Sequence, residues 1–208
     1  GDIRFLWMPS LTGTTVTDKS RHAATVTYSK EIGSWDTPPS LLGRGIAATF
    51  DKTDEEGDTP DSDIHSFGDG VNDNPFSVLS LVKPSTDLTS GGKTIISRYN
   101  WGGSLEEWTF GIRHTSGRMV FELHDAGANA AIGAEYGTNL GSDWALVSGT
   151  YDGAGLSAGC KVYKNAAEVQ DTAFGTGSYV AMENKAQVMA IGHNLNNSTP
   201  TNLFGGSI

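Results

Sequence analysis

The 208-residue sequence holds a single cysteine, Cys160. An intramolecular disulfide and a thiolate metal cluster are both excluded, so cohesion has to come from packing. A lone cysteine in a strand-like segment, with no histidine beside it in sequence, reads as a small buried hydrophobe rather than a nucleophile. No uninterrupted apolar run approaches the ~18 residues that a membrane-spanning helix requires, so no membrane role is expected. Positive charge is also scarce. Fourteen Lys and Arg face 24 Asp and Glu, for a net charge of -10 with no basic cluster, which opposes phosphate backbones and argues against nucleic acid as a partner. The acidity reads as a solvated surface, with cation binding or steering of a partner as the alternative. The opening Gly1-Asp2-Ile3-Arg4 shows no secretory signal, and the compartment stays open. No sustained helical period is present, which excludes parallel α/β folds.

What the sequence does contain is a series of short β-rich runs between clusters of Gly, Asn, Asp, Ser and Pro. The spacing predicts six strands, at 76–83, 93–99, 107–113, 118–124, 144–151 and 159–164, with weaker candidates at 24–28 and 46–50. Trp108, Phe110 and Ile112 fall on one face of their run and Glu107, Thr109 and Arg113 on the other; Met119, Phe121 and Leu123 repeat the device. Two antiparallel sheets packed face to face hide such faces, so the expected fold is an all-β sandwich or jelly roll. Residues 51–74 read mostly as an ordered surface loop, and the whole of 1–208 reads as one domain with 1–44 as leading strands and loops.

Several ordered motifs give this pattern a likeness. Phe76-Ser-Val-Leu-Ser-Leu-Val-Lys-Pro84, Thr94-Ile-Ile-Ser-Arg98, Trp144-Ala-Leu-Val-Ser-Gly-Thr-Tyr-Asp-Gly153, Lys161-Val-Tyr163 and Ser178-Tyr-Val-Ala-Met-Glu-Asn184 follow one another. With Gly45-Ile-Ala-Ala-Thr-Phe-Asp51 upstream and Ala190-Ile-Gly192 downstream, the series resembles laminin-G-like (LamG) jelly-roll domains of the concanavalin A-like lectin/glucanase superfamily over roughly residues 45–208. The lead-in Phe67-Gly-Asp-Gly70 and the 178–184 stretch look like the LamG-type proteins of tailed phages and environmental sequences, which implies a virion or cell-surface setting. Three departures stand out. Leu81 replaces a family Trp, implying a lost core ring; Asn165-Ala166 replaces the usual Asn-Gly or Asp-Gly turn, where Ala is poorly suited to φ > 0. The resemblance also implies a further closing strand beyond Ile208, leaving an edge able to accept a strand.

Catalytic constellations are missing. The glucanases of the superfamily carry Glu-x-Asp-x-x-Glu on one strand, because alternate residues aim two carboxylates into the same cleft; no such motif occurs here. Asp54-Glu55-Glu56-Gly57-Asp58 is the nearest acidic cluster and reads as a solvated loop, with a cation site as its rival. His22, His65, His114, His124 and His193 are scattered, without spacing for a zinc site on one element. A nucleophile elbow and a phosphate-binding Gly-Lys-Ser/Thr loop are absent, and Arg98, Tyr99, Arg113 and His114 are only loose candidates for a lyase set. The expectation is a protein that is not an enzyme.

Binding chemistry is better represented. Sugar sites combine an exposed ring that stacks on a pyranose with amides and carboxylates that bond its hydroxyls. Tyr99, Asn100 and Trp101 offer that composition in a loop, Trp101 lying outside the alternating core pattern to which Trp108 and Trp144 are assigned; Trp35 is a weaker candidate beside a loop-anchoring role. Asp69, Asn72 and Asp73 supply oxygen donors for a hard cation, and the resemblance implies structural calcium, with Asx-turn hydrogen bonds as the competing account. Three functions are therefore carried forward. The first is a non-catalytic module binding a glycan or other surface ligand. The second is a structural virion or decoration protein assembling as a homo-oligomer or with other virion proteins, and the third is a glycan-active enzyme.

Overall fold

The computed structural model describes residue 4 and residues 13–39, 46–86, 93–113 and 116–208. Among these, strands run in the order β1 (Thr15–Thr17), β2 (Thr25–Tyr28), β3 (Ser34–Asp36), β4 (Ala47–Asp51), β5 (Gly57–Thr59), β6 (Phe76–Pro84), β7 (Lys93–Arg98), β8 (Trp108–Ile112) and β9 (Arg118–Asp125). There follow β10 (Ala130–Asn139), β11 (Ala145–Tyr151), β12 (Cys160–Lys164), β13 (Ala167–Glu168), β14 (Gln170–Thr176), β15 (Met189–Ile191), β16 (Asn194–Asn196), β17 (Thr199–Thr201) and β18 (Gly205–Ser207). The predicted strands between 76 and 164 are all present, each within a residue of its expected bounds. His114 lies outside the described residues.

One sheet has nine strands in the order β1-β2-β5-β15-β7-β8-β9-β10-β14, and the other has seven in the order β13-β12-β11-β6-β18-β4-β3. Every pairing between strands within these sheets is antiparallel. The sequence dictates their packing through its period of two. On β8 and β9, Trp108, Phe110, Met119, Phe121 and Leu123 are buried to 1% exposure or less, and from the opposite sheet Phe76, Val147 and Val162 meet them. Phe76 joins the layers, its ring centroid 5.4 Å from Phe121, 5.7 Å from Trp108 and 4.0 Å from a stacked Phe67. This is a two-sheet antiparallel β-sandwich of the jelly-roll kind. Cys160 is fully buried within it, and burial pushes its thiol up to about 12, which leaves it an inert core residue.

The structure bears on four expectations drawn from motif positions. Leu81 pairs with Leu146 on the outer side of β6, out of step with buried Val82, so no core ring is missing at that place. Trp144 is not core: it is half-buried, with the Lys83 ammonium 6.0 Å above its ring. Asn165 and Ala166 do form the tight turn between β12 and β13, at φ 52° and 65°, so Ala166 bears a backbone conformation that favours glycine. At the last described residues, β18 lies between β4 and β6, and Ile208 exchanges two backbone hydrogen bonds of 2.9 Å with Ala48, so the edges of β4 and β6 are joined.

Candidate functional site

An open groove of about 380 Å³ crosses the outer face of the nine-stranded sheet, where Tyr99, Trp101, Glu106, Glu122, His124 and Phe174 line it. Alternation builds its floor. Because Phe121 and Leu123 turn to the core, Glu122 and His124 between and beside them turn outward. Beside them, the neighbouring β10 sets the small residues Ala131 and Gly133 on that face, opposite Thr176 and Phe174 of β14. A methyl group at Gly133 would stand 2.6 Å from the Phe174 ring, so glycine is what lets that ring lie across the strand.

Trp101 is the groove's exposed ring, with 64% of its surface accessible. It begins a short 3-10 turn, Trp101–Gly103, that is clamped from below. The buried Asn100 accepts the Ser198 N–H at 3.3 Å through its side-chain oxygen and donates to the Gln187 side chain at 3.4 Å. Its backbone carbonyl accepts the N–H groups of Gly103 and Leu105. Gly102 packs so closely on the Asn196 and Asn197 side chains that a side chain there would push them aside. The platform is therefore held rigid while its ring faces water. Beside it, Tyr99 meets His124 edge to face, with ring centroids 4.8 Å apart. Burial pulls the His124 imidazole below its ordinary value and raises the Tyr99 hydroxyl, so both are neutral at neutral pH.

The carboxylates of the groove have separate fates. Asp125 accepts the N–H groups of Ala128 and Val180, one on each oxygen. Glu122 is held by Arg113 at 3.0 Å, whose guanidinium also bonds Glu135 at 2.6 Å and lies 5.1 Å over the Phe174 ring. Arg118 bonds the other oxygen of Glu135 at 3.2 Å. Glu106 alone is half-buried with no hydrogen bond or ion pair from another described residue, and burial raises its carboxyl above the usual carboxylate range. Lys185, whose charge acts on it, is paired with Glu183 at 3.0 Å.

Of the ligand-binding residues expected from the sequence, Tyr99 and Trp101 line the groove; Asn100 is turned inward and supports it. Trp35 is on β3 in the other sheet, half-buried against the core and paired with Ala48, and does not reach this groove. The expected cation ligands lie in another loop. Asp69 accepts the N–H groups of Val71 and Asn72 at 2.9 and 2.7 Å, backbone bonds that hold its carboxyl below its ordinary value, and Asn72 is exposed. Asp73 accepts the Tyr151 and Tyr179 hydroxyls on one oxygen, at 2.8 and 2.7 Å, and the Met182 N–H on the other, at 2.9 Å. Protein donors thus occupy both Asp73 oxygens, and the loop is pinned by its own hydrogen bonds. Among the described residues, three acidic side chains come within 4.8 Å of one another at Asp51, Asp54 and Glu55, where Lys30 pairs with Asp54 and Glu55.

Glu106, Glu122, His124 and Phe174 were not singled out as ligand contacts by sequence. The outward pair on β9 was signalled by the Met119, Phe121 and Leu123 alternation, whereas Phe174 sits in a strand too polar to stand out.

No protein-family model matches the chain, and no curated protein sequence does. Solved structures do. Over 92% of its length the chain is similar to the receptor-binding domain of botulinum neurotoxin C/D mosaic serotype, with 15% identity and a TM-score of 0.57, covering 44% of that chain. It is similar over the same share to the binding domain of botulinum neurotoxin serotype G, with 14% identity, a TM-score of 0.50 and 45% of that chain covered. The chain thus spans less than half the length of these two domains. Domain 4 of AbnA, a GH43 extracellular arabinanase from Geobacillus stearothermophilus solved in complex with arabinotriose, is similar over 92% of this chain and 87% of its own, at 16% identity and a TM-score of 0.51. At such identities the likeness establishes a shared β-sandwich fold.

Proposed function

We propose that the protein is a non-catalytic recognition module that binds a glycan in the groove across its nine-stranded sheet, with Trp101 as the stacking platform. The observation that carries this reading is the rigidly braced yet 64% exposed indole, set beside the polar wall of Glu106, Glu122 and His124. The neighbours named for receptor binding or solved with arabinotriose support it at the level of fold. A binding rather than cleaving role is supported by the carboxylates. A glycosidase uses a pair of them, whereas Asp125 is spent on backbone N–H groups and Glu122 on Arg113, leaving Glu106 alone. The LamG-like motifs and a cell-surface or virion setting belong to this same proposal. A glycan array followed by calorimetry tests it: wild type binds a defined glycan, and Trp101→Ala weakens binding about tenfold, as loss of one stacked ring implies, with an unchanged melting temperature. A blank array, or equal binding by the variant, would overturn it.

A second reading, assembly with other copies or with virion proteins, is favoured by β14, a mostly exposed seven-residue strand at the sheet edge. Light scattering across concentrations tests the first form of it: a stable oligomer supports assembly, and a monomer at all concentrations removes assembly with other copies.

A further inference from the structure

The charges around the groove go further than the word glycan. Arg113, just past β8, and Arg118, at the start of β9, are committed to Glu122 and Glu135, and Lys185 to Glu183. No guanidinium or ammonium among the described residues lining the groove is left to meet an anion. On the negative side Glu106 is half out of water and bonded by no other described residue, in the same groove as the exposed Trp101. A carboxylate so placed has lost part of its hydration without gaining a partner, and an incoming cation restores what burial took away. An indole face and a carboxylate on one groove are together the two groups that attract an ammonium, the first through its quadrupole and the second through a charge-assisted hydrogen bond.

We propose that the ligand is a sugar chain bearing a free amine, of the glucosamine type, whose ammonium is met by Glu106 beside Trp101, and that the groove rejects anionic sugars. This rests on the glycan-binding reading and narrows it to a chemical class. A carboxylated or sulfated sugar would bring like charge to Glu106 and Glu122 with no free cation to receive it, a repulsive selection built into the wall.

Calorimetry with three trisaccharides of equal length tests the assignment: fully deacetylated glucosamine, its neutral N-acetylated counterpart, and a glucuronate-containing chain. Wild type is expected to bind the amino sugar about tenfold more tightly than the neutral one, a preference weakened by salt, and the acidic chain not measurably. Glu106→Gln is expected to abolish the preference while its melting temperature stays at the wild-type value, and Glu106→Asp to retain part of it. Equal or tighter binding of the neutral or acidic chain, or a preference that survives Glu106→Gln, overturns the inference and leaves glycan binding standing. If none of the three binds but the array finds another glycan, the inference again falls alone; if the array is also blank, both fall.

Discussion

Glu106 and Glu107 are consecutive, and the chain puts them to opposite uses. Glu107 is fully buried, and one of its oxygens receives Arg98 through two nitrogens, at 2.8 and 3.1 Å, together with the Lys185 N–H at 3.0 Å. Arg98, equally buried, goes on to bond the Asp61 carboxylate and the carbonyls of Ser62 and Lys185. Two segments far apart in sequence are thereby tied to the end of β7. Glu106 receives nothing comparable. Burial raises both carboxyls, but at Glu107 the arginine opposes it. A buried charge bonded through one oxygen by Arg98 and Lys185 serves the fold, whereas a half-buried charge with no such bond is open to something that arrives from solution.

Removing the arginine breaks the closed half of this contrast. Arg98→Met should cost about 3–5 kcal/mol in urea unfolding, because it leaves Glu107 charged and unpaired in the interior, whereas Glu106→Gln should stay within ~0.5 kcal/mol of wild type. Equal losses would erase the distinction. His65 belongs to the closed region too: its carbonyl accepts the Trp108 indole N–H at 3.1 Å, and burial, reinforced by Arg98, lowers its pKa to about 4. A histidine held neutral in the fold contributes stability that is full above its unfolded value of 6.5 and lost as pH falls towards 4. Unfolding free energy should therefore drop by about 3 kcal/mol across that window, on the order of the shift at 1.36 kcal/mol per unit, and His65→Gln should flatten that part of the profile. The smallest effect lies away from both carboxylates. Ala166→Gly relieves the left-handed backbone at φ 65° and should stabilise by about 1 kcal/mol, leaving glycan binding untouched.

The sequence made the strands at 76–84, 93–98, 108–112, 118–125, 145–151 and 160–164 legible because apolar and polar residues alternate in them or β-branched residues dominate. It hid β10 and β14, the two that form one side of the groove. Ala130-Ala-Ile-Gly-Ala-Glu-Tyr-Gly137 is rich in small residues that carry little strand preference, and Gln170–Thr176 is exposed along most of its length, so neither shows a face. Trp101 was legible because it stood outside the core pattern. Glu106 was not, since two adjacent glutamates give no local sign of which will meet Arg98. The inward turn of Asn100 escaped for a similar reason, its partners Gln187 and Ser198 lying almost a hundred positions downstream.

The place of β18 bears on how the molecule comes to be folded. Until residues 205–207 arrive, the seven-stranded sheet exists as two pieces, β3-β4 and β6-β11-β12-β13, each with a raw hydrogen-bonding edge. Thr49 and Ser207, whose hydroxyls meet at 3.2 Å, are separated by 158 positions, so the joining contact is among the most entropically expensive in the chain. During synthesis on the ribosome the early strands wait for residues 205–207 to be made, with their edges open to any other chain in the same condition.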